Sequence, residues 1–489
     1  MTRLFLICVF ALLASPCAAR IITVDDDGPA DFNNIQAAIN LARDGDIVEV
    51  QVGIYTGPGN RDIDFKGKAI TVRSTDPNNP QIVAATIIDC NGSSDENHRG
   101  FHFHNDEEPN SILDGLSVTH GYADYGGAIA CYGAGPTIRN CIVNANKTFG
   151  RGGGIFGCGG PIINCRITDN ETIGFLHSGG GVCECSGPII NCKISGNRAT
   201  GNGGGVNECS GGVFNCIITG NFAGWAGGGI GNAYVNSSNL VNCVICYNST
   251  HTIGGGGVAG GAEANFAVIN CILWGNEAPT GMGPQIGFDM GSTVWVDYSD
   301  VQGGEADVYV EPGDVLHWGY GNIDVDPCFV EAGYWDPNGT PEDANDDFWV
   351  DGDYHLKSEG WYWNTDANQW DWDEVTSRCI DAGNPGSLLG DEALTLDVDP
   401  LNRFGQNLRI NMGAYGGTTE ASMPPYYWAL LADLNNDGTV SFVDVGHYVQ
   451  YWLDADSELP ADLDRNGTVD LTDYALLGQD YLLQTSWHQ

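Results

Sequence analysis

Basic residues are scarce in this chain. Its 489 residues include 19 Lys and Arg against 63 Asp and Glu, and the net charge is -44. Such a surface repels phosphate backbones, which excludes nucleic acid as a partner. It attracts divalent cations and favours solubility. No run of 18 apolar residues occurs, so no membrane span is expected. Charged residues make up only 17%, but 42% are hydrophobic, enough to fill a core and exclude wholesale disorder. Glycine, by contrast, is abundant at 70 residues. It follows no Gly-X-Y period, so a collagen helix is excluded.

The length allows two to four domains. Met1 to Ala19 reads as a secretory signal. Arg3 gives the positive end, Leu4 to Leu13 the short apolar stretch, and Cys17 and Ala19 the small residues before cleavage. Cys17 is also open to reading as a lipoprotein cysteine, against which stands Pro16. The expectation is a secreted or cell-surface protein.

An internal repeat sets the architecture. Asn-Cys recurs at Asn140, Asn164, Asn191, Asn215, Asn242 and Asn270, in steps of 24, 27, 24, 27 and 28 residues. A second Asn follows each pair, at Asn146, Asn170, Asn197, Asn221, Asn248 and Asn276, and glycine clusters lie between units. A period of this size signals a solenoid. Glycine triplets would break helical repeats, and leucine is too sparse for leucine-rich ones. Each unit, as in Ile163 to Asn170, reads as a short alternating strand closed by a turn. Stacked one rung per unit, these strands make a parallel β-helix. Cys165 and Ile167 then face inward, Asn164, Arg166 and Thr168 outward, and the turn asparagines bond along the stack.

The repeat also stacks cysteines. Cys141, Cys165, Cys192, Cys216, Cys243 and Cys271 form one file; Cys131, Cys158, Cys185 and Cys209 form another. Parallel Cβ vectors about 4.8 Å apart suit small buried hydrophobes better than disulfides. Cys328 and Cys379 make the better disulfide candidate.

Phe32 to Ala42 carries a helical stripe, Ile35, Ala38, Ile39 and Ala42, expected to cap the first rung. That stretch, with Gly53-Ile54-Tyr55, Thr86 to Cys90 and Leu113-Asp114-Gly115-Leu116, resembles the pectin-lyase-like right-handed β-helix proteins. Gly321 to Pro327, Gly352 to Leu356, Cys379 to Gly383 and Asn411 to Tyr415 resemble the closing segment of secreted bacterial β-helix proteins. The resemblance implies an all-β, right-handed parallel β-helix over 20–320, with further rungs and a cap over 321–422.

After a short linker, 423–427, two loops of one pattern follow. The first is Asp433-x-Asn435-x-Asp437-Gly438-Thr439-x-Ser441-x-x-Asp444. The second is Asp462-x-Asp464-x-Asn466-Gly467-Thr468-x-Asp470-x-x-Asp473. Calcium needs six to eight oxygens, and this spacing supplies side chains at positions one, three and five, a carbonyl at seven, a water or side chain at nine and a closing carboxylate at twelve. Each loop runs into a helical stripe, Val445, Tyr448, Val449 and Trp452, then Tyr474, Leu477 and Tyr481. The layout resembles a type I dockerin, a small α-helical calcium-binding domain, here expected over 428–486. The resemblance implies Ca2+ and docking to a cohesin-like scaffold module. The pairs Phe442-Val443 and Leu471-Thr472 stand where dockerins choose their partner, and they differ between the copies. A calcium-stapled stability module is the alternative.

Candidate catalytic residues are fewer. Arg166 and Lys193 share one repeat position and would stack into a cation pair able to hold a uronate carboxylate; the alternative is two solvated strand residues. Glu184 and Glu208 are also aligned. Two carboxylates near 5 Å suit glycosidase chemistry or calcium, or form a plain surface pair. All four around one cavity would mark an enzyme, a polysaccharide lyase or glycoside hydrolase; a flat Asn- and Thr-lined face would mark a scaffold. The Trp-rich stretch from Trp335 to Trp372 either stacks on sugars or packs the cap. His102 and His104 share a face, where a structural role is favoured over metal binding. The expected function is binding or processing extracellular polysaccharide within a larger assembly. The alternative is a non-catalytic cell-surface or matrix protein with structural or adhesive duties.

Overall fold

The structure, a computed structural model, describes residues 19–231, 239–261, 263–340, 347–399, 405–456 and 458–488. The expected signal segment lies outside the described residues, apart from Ala19. Four parallel sheets wind into one coil. Sheet A has 12 strands, sheet B 10, sheet C 9 and sheet D 6. One turn runs from Thr137–Arg139 in A to Ile142–Asn144 in B, Lys147–Arg151 in D and Ile155–Phe156 in C, then returns to A at Ile162–Ile163. The expected parallel β-helix is therefore present.

Register explains the packing. Val143, Ile167, Ile194, Ile218, Ile245 and Leu273 pair one above another through sheet B. Each is fully buried, and a burial of that kind stabilises by about 1.5–3 kcal/mol. Helix α1 (Ile35–Leu41) is capped by Asn34 and buries Ile35, Ala38 and Ile39 over the first rung, as the stripe predicts.

The two asparagine files divide the labour. Asn140, Asn164, Asn191, Asn215, Asn242 and Asn270 take left-handed backbone, φ 52–54°, and turn the chain from sheet A to sheet B. The second file is buried and forms an amide ladder, with Asn146, Asn170, Asn197, Asn221 and Asn248 each donating Nδ2 to the Oδ1 of the next. Thr168 departs from expectation. It is buried, because the strand ends there and turns into the ladder.

The cysteines also depart in part. The first file is buried and thiol, and burial pushes Cys141, Cys165 and Cys192 well above the ordinary thiol range. In the second file Cys131 and Cys158 are joined, at a Cα–Cα separation of 4.8 Å, because the rung spacing falls within the span a disulfide bridges. The pair Cys328 and Cys379 is not joined. Cys379 donates to Asp300 Oδ2 at 3.2 Å instead.

Residues 321–422, expected to add rungs and a cap, turn back along the coil. Val315–Trp318 is the last strand of sheet A. Three antiparallel strand pairs follow, Phe329–Glu331 with Asp353–Leu356, enclosing Tyr334–Asp336 with Phe348–Val350, and then Tyr362–Asn364 with Gln369–Asp371. This flank covers the outside of sheet B. Phe329, Tyr354, Leu356 and Met412 build a second core against Val244, Cys246 and Ile272. Trp349 sits over Gly220, where an added Cβ would lie 2.1 Å from the indole. Trp335 meets Trp349 edge-on at 5.6 Å, and Trp363 pairs with Trp370 at 5.5 Å. Most of the tryptophans thus pack the flank, while Trp372 is exposed. The stretch read as a linker is anchored, since Met423 exchanges backbone hydrogen bonds with Trp361 at 2.7 and 3.2 Å.

The C-terminal module has its own core of Leu434, Val440, Tyr448, Leu463, Val469 and Leu477. A second helix of the solenoid, α2 (Pro80–Ala85), lies far earlier in the chain; the module adds α3 (Phe442–Tyr448) and α4 (Leu471–Asp480). The first stripe stops early. Val449 opens a 3-10 turn and is exposed with Trp452. Among the described residues no helix is long and apolar enough to cross a membrane.

Candidate functional site

The two loops match at positions one, three, five and nine, while the closing carboxylates differ: Asp444 accepts from Leu434 N and Asp473 from Asp464 N, one place further on. At position one, Asp433 accepts from Asp437 N and Gly438 N at 3.2 and 2.9 Å; Asp462 accepts from Asn466 N and Gly467 N at 3.1 and 2.7 Å. At position five, Asp437 and Asn466 accept from Thr439 N and Thr468 N, at 2.9 and 3.0 Å. Gly438 and Gly467 turn at φ 87° and 88°, where a side chain would be strained. Ser441 and Asp470, at position nine, serve as N-caps of α3 and α4, and Asp444 and Asp473, at twelve, complete the capping boxes. The helix starts therefore aim the closing carboxylates at the loops.

This donor set fits a hard divalent cation. One oxygen each from Asp462, Asp464 and Asp473 lies within 4.8 Å of the others. Crowding shows electrostatically. Burial, reinforced by Asp444 and Asp437, pushes Asp433 up to about 6; burial with Asp437 raises Asp444, and burial with Asp473 and Asp464 raises Asp462. A cation between these carboxylates relieves that repulsion. Asn435 extends loop one, as its Oδ1 accepts from Asp437 N at 3.2 Å.

The cation pair is on register but not available. Arg166 pairs with Lys193 across sheet B, and both reach Asp351 Oδ2 of the flank at 3.2 Å. Burial lowers the Lys193 ammonium, with Asp351 opposing. Glu184 and Glu208 stand at left-handed turns, φ 55° and 53°, just after strands of sheet C. Arg151 bridges them, with Nη1 touching Glu184 and lying 3.3 Å from Glu208. The four candidates thus lie at two different sheets, and the grooves beside Lys193 and Arg166 are lined by neither glutamate. Asp351 and Arg151 were invisible to sequence reasoning, since each comes from a segment outside the repeat positions it meets. His102 and His104 lie with ring centroids 4.0 Å apart and tilted, and burial pushes His102 down to about 4, in keeping with a structural pair.

Another feature had no sequence signal. A groove of about 400 Å³ runs over the outside of sheet C, lined by Trp225, Phe288, Asp289, Met290, Tyr309 and Glu311. Its floor is Ala259 and Gly287, paired on adjacent strands. Trp225 is 40% exposed and Met290 65%. Asp289 is raised by burial and by Glu311 and Asp314. The groove offers an aromatic face, a smooth floor and carboxylate acceptors.

Comparisons with known proteins bear on both halves of the molecule. No curated protein matches this chain. Among solved structures it is similar to the pectate lyase Pel9A, with 14% identity, 81% of this chain and 96% of that one covered, and a TM-score of 0.42. It is also similar to a rhamnogalacturonan lyase, with 15% identity, 66% and 93% covered, and a TM-score of 0.34. Residues 431–482 match the dockerin type I domain family. The paired loops and their capped helices are therefore a type I dockerin domain, carried at the end of a parallel β-solenoid.

Proposed function

We propose that this chain is an extracellular, calcium-binding β-helix protein that binds polysaccharide and joins a larger assembly through its dockerin module. The observation that carries it is the repeated loop geometry, in which the carboxylate at position one accepts from the amides of positions five and six in both loops. Asp433, Asn435, Asp437, Thr439, Ser441 and Asp444 would hold one Ca2+, and Asp462, Asp464, Asn466, Thr468, Asp470 and Asp473 the other. Bound calcium would neutralise the closing carboxylates and fix the helices. The exposed pairs Phe442-Val443 and Leu471-Thr472 would then face a cohesin-like partner.

For the solenoid, the sheet C groove supports the polysaccharide reading. Exposed indole stacks on sugar faces, and carboxylates accept hydroxyl hydrogen bonds. The second reading, a non-catalytic surface or matrix protein, is favoured by one observation. Each charge proposed for cleavage already has a partner, Asp351 for the cations and Arg151 for the carboxylates.

One experiment separates them. Purified protein is titrated with CaCl2 by calorimetry, then incubated with a polysaccharide panel while binding, reducing ends and unsaturated uronates are measured. Calcium uptake with glycan binding lost in Trp225→Ala supports the proposal. Uptake with no glycan bound leaves the matrix reading, and no uptake removes the calcium reading.

A further inference from the structure

Asn436 and Arg465 hold the same place in the two loops, between the ligands at positions three and five. Both have left-handed backbone, φ 55°, which turns their side chains away from the carboxylates. Both reach the solenoid flank. Asn436 Nδ2 donates to Gly321 O at 2.7 Å and Ala382 O at 2.8 Å. Arg465 donates to Pro385 O at 3.0 Å and Leu408 O at 2.8 Å. The contacts also run the other way. Buried Arg409 donates to Asp433 O at 2.8 Å, and the Tyr298 hydroxyl donates to Leu434 O at 3.0 Å. Asp433 and Leu434 are the first two residues of loop one. The seam between the module and the solenoid thus includes calcium-loop backbone and loop side chains that are not ligands, beside contacts of Tyr320 with His447 and Gln450 and of Arg378 with Trp487.

We infer that the dockerin module is seated on its own solenoid, and that this seating is coupled to calcium binding by both loops. The loop conformation that gathers the carboxylates is the one that presents Asn436, Arg465 and the Asp433 and Leu434 carbonyls to the flank. Coupling is reciprocal: what tightens the seat tightens the ion, and losing the ion loosens the seat. A loop without its cation has fewer constraints on the turn holding position four. The inference rests on the calcium reading above and adds what the loops do when filled.

The test uses the full chain and three substitutions, none of a calcium ligand. Tyr298→Phe changes the solenoid side alone. Asn436→Gly and Arg465→Gly remove the seam side chains while keeping a residue that tolerates positive φ. Calcium affinity is measured by calorimetry, with circular dichroism as the check on folding. Coupling of ordinary size predicts affinity weakened about 5- to 10-fold in each variant. In the wild type, chelation should extend the particle in small-angle X-ray scattering and open the chain between 423 and 430 to protease. Calcium uptake with wild-type affinity in all three variants overturns the coupling and leaves the calcium reading standing. Absence of uptake by the wild type overturns both. Should Tyr298→Phe fail to fold, the two glycine variants decide.

Discussion

Asn197 donates its side-chain amide to Asn221 Oδ1 at 2.9 Å on one side and accepts from Asn170 Nδ2 at 3.0 Å on the other. It also donates to Ile167 O at 2.9 Å and accepts from Asn170 N at 3.0 Å. All these atoms are buried, so each rung's polar demand is met by its neighbours. Removing one amide leaves several buried groups without partners, at about 1–3 kcal/mol apiece. Asn197→Ala is expected to lower stability by roughly 3 kcal/mol or more, read from the urea midpoint. A loss below about 1 kcal/mol would mean that the ladder follows the stacking and does not support it.

Asp300 predicts a pH dependence. It is fully buried, accepts from Val325 N at 3.1 Å and from the Cys379 thiol, and is pushed up to about 8, foremost by burial. Asp324 adds to the rise and Arg378 opposes it. The folded chain therefore keeps a proton that the unfolded chain releases near pH 4. The stability this gives is complete below about pH 4 and is lost as pH climbs to 8. Asp300→Asn should flatten the decline of melting temperature between pH 5 and 8, and should exceed the wild type at pH 8 by roughly 2–4 °C. Parallel curves for the two proteins would disprove this.

The contact of Trp349 with Gly220 predicts how the flank is held. A methyl at Gly220 would sit inside the indole, so Gly220→Ala should displace the hairpin Tyr334–Asp336 with Phe348–Val350 and leave the coil wound. The expected signs are a red-shifted tryptophan emission and early proteolysis between 329 and 360, with the far-ultraviolet spectrum retained. An unchanged digestion pattern would show that the flank is held elsewhere.

The two outer faces can be told apart by mutation. Arg166→Ala and Lys193→Ala remove partly exposed ion pairs with Asp351 and should cost under about 1 kcal/mol each. Because they lie on sheet B, glycan retention on affinity gels should not change, whereas Trp225→Ala, at the corner that borders the sheet C groove, should lose most of it. The reverse pattern would place the ligand on the cation pair.

The rungs were legible because their period is written twice, in the asparagines and in the inward isoleucines, and vertical stacking follows from that period alone. The calcium loops were legible for a like reason: oxygen ligands at fixed offsets leave little freedom. The flank was not, because Trp335 to Trp372 carry aromatic content without a period, and nothing local says that Trp349 belongs over Gly220. Pairing across distant segments was equally hidden. Asp351 meets Arg166 over 185 residues of chain. Register does not single out the disulfide between Cys131 and Cys158, since a rung spacing near the ideal for a sheet also lies inside the range that sulfur can bridge.

The seam between loops and solenoid has a mechanical consequence. A module hung on a slack tether lets its cargo swivel, whereas one bolted by Asn436 and Arg465 passes on its orientation. Whatever grips the outer faces of α3 and α4 would hold the rod at one fixed bearing and set which of its sides looks outward from the complex.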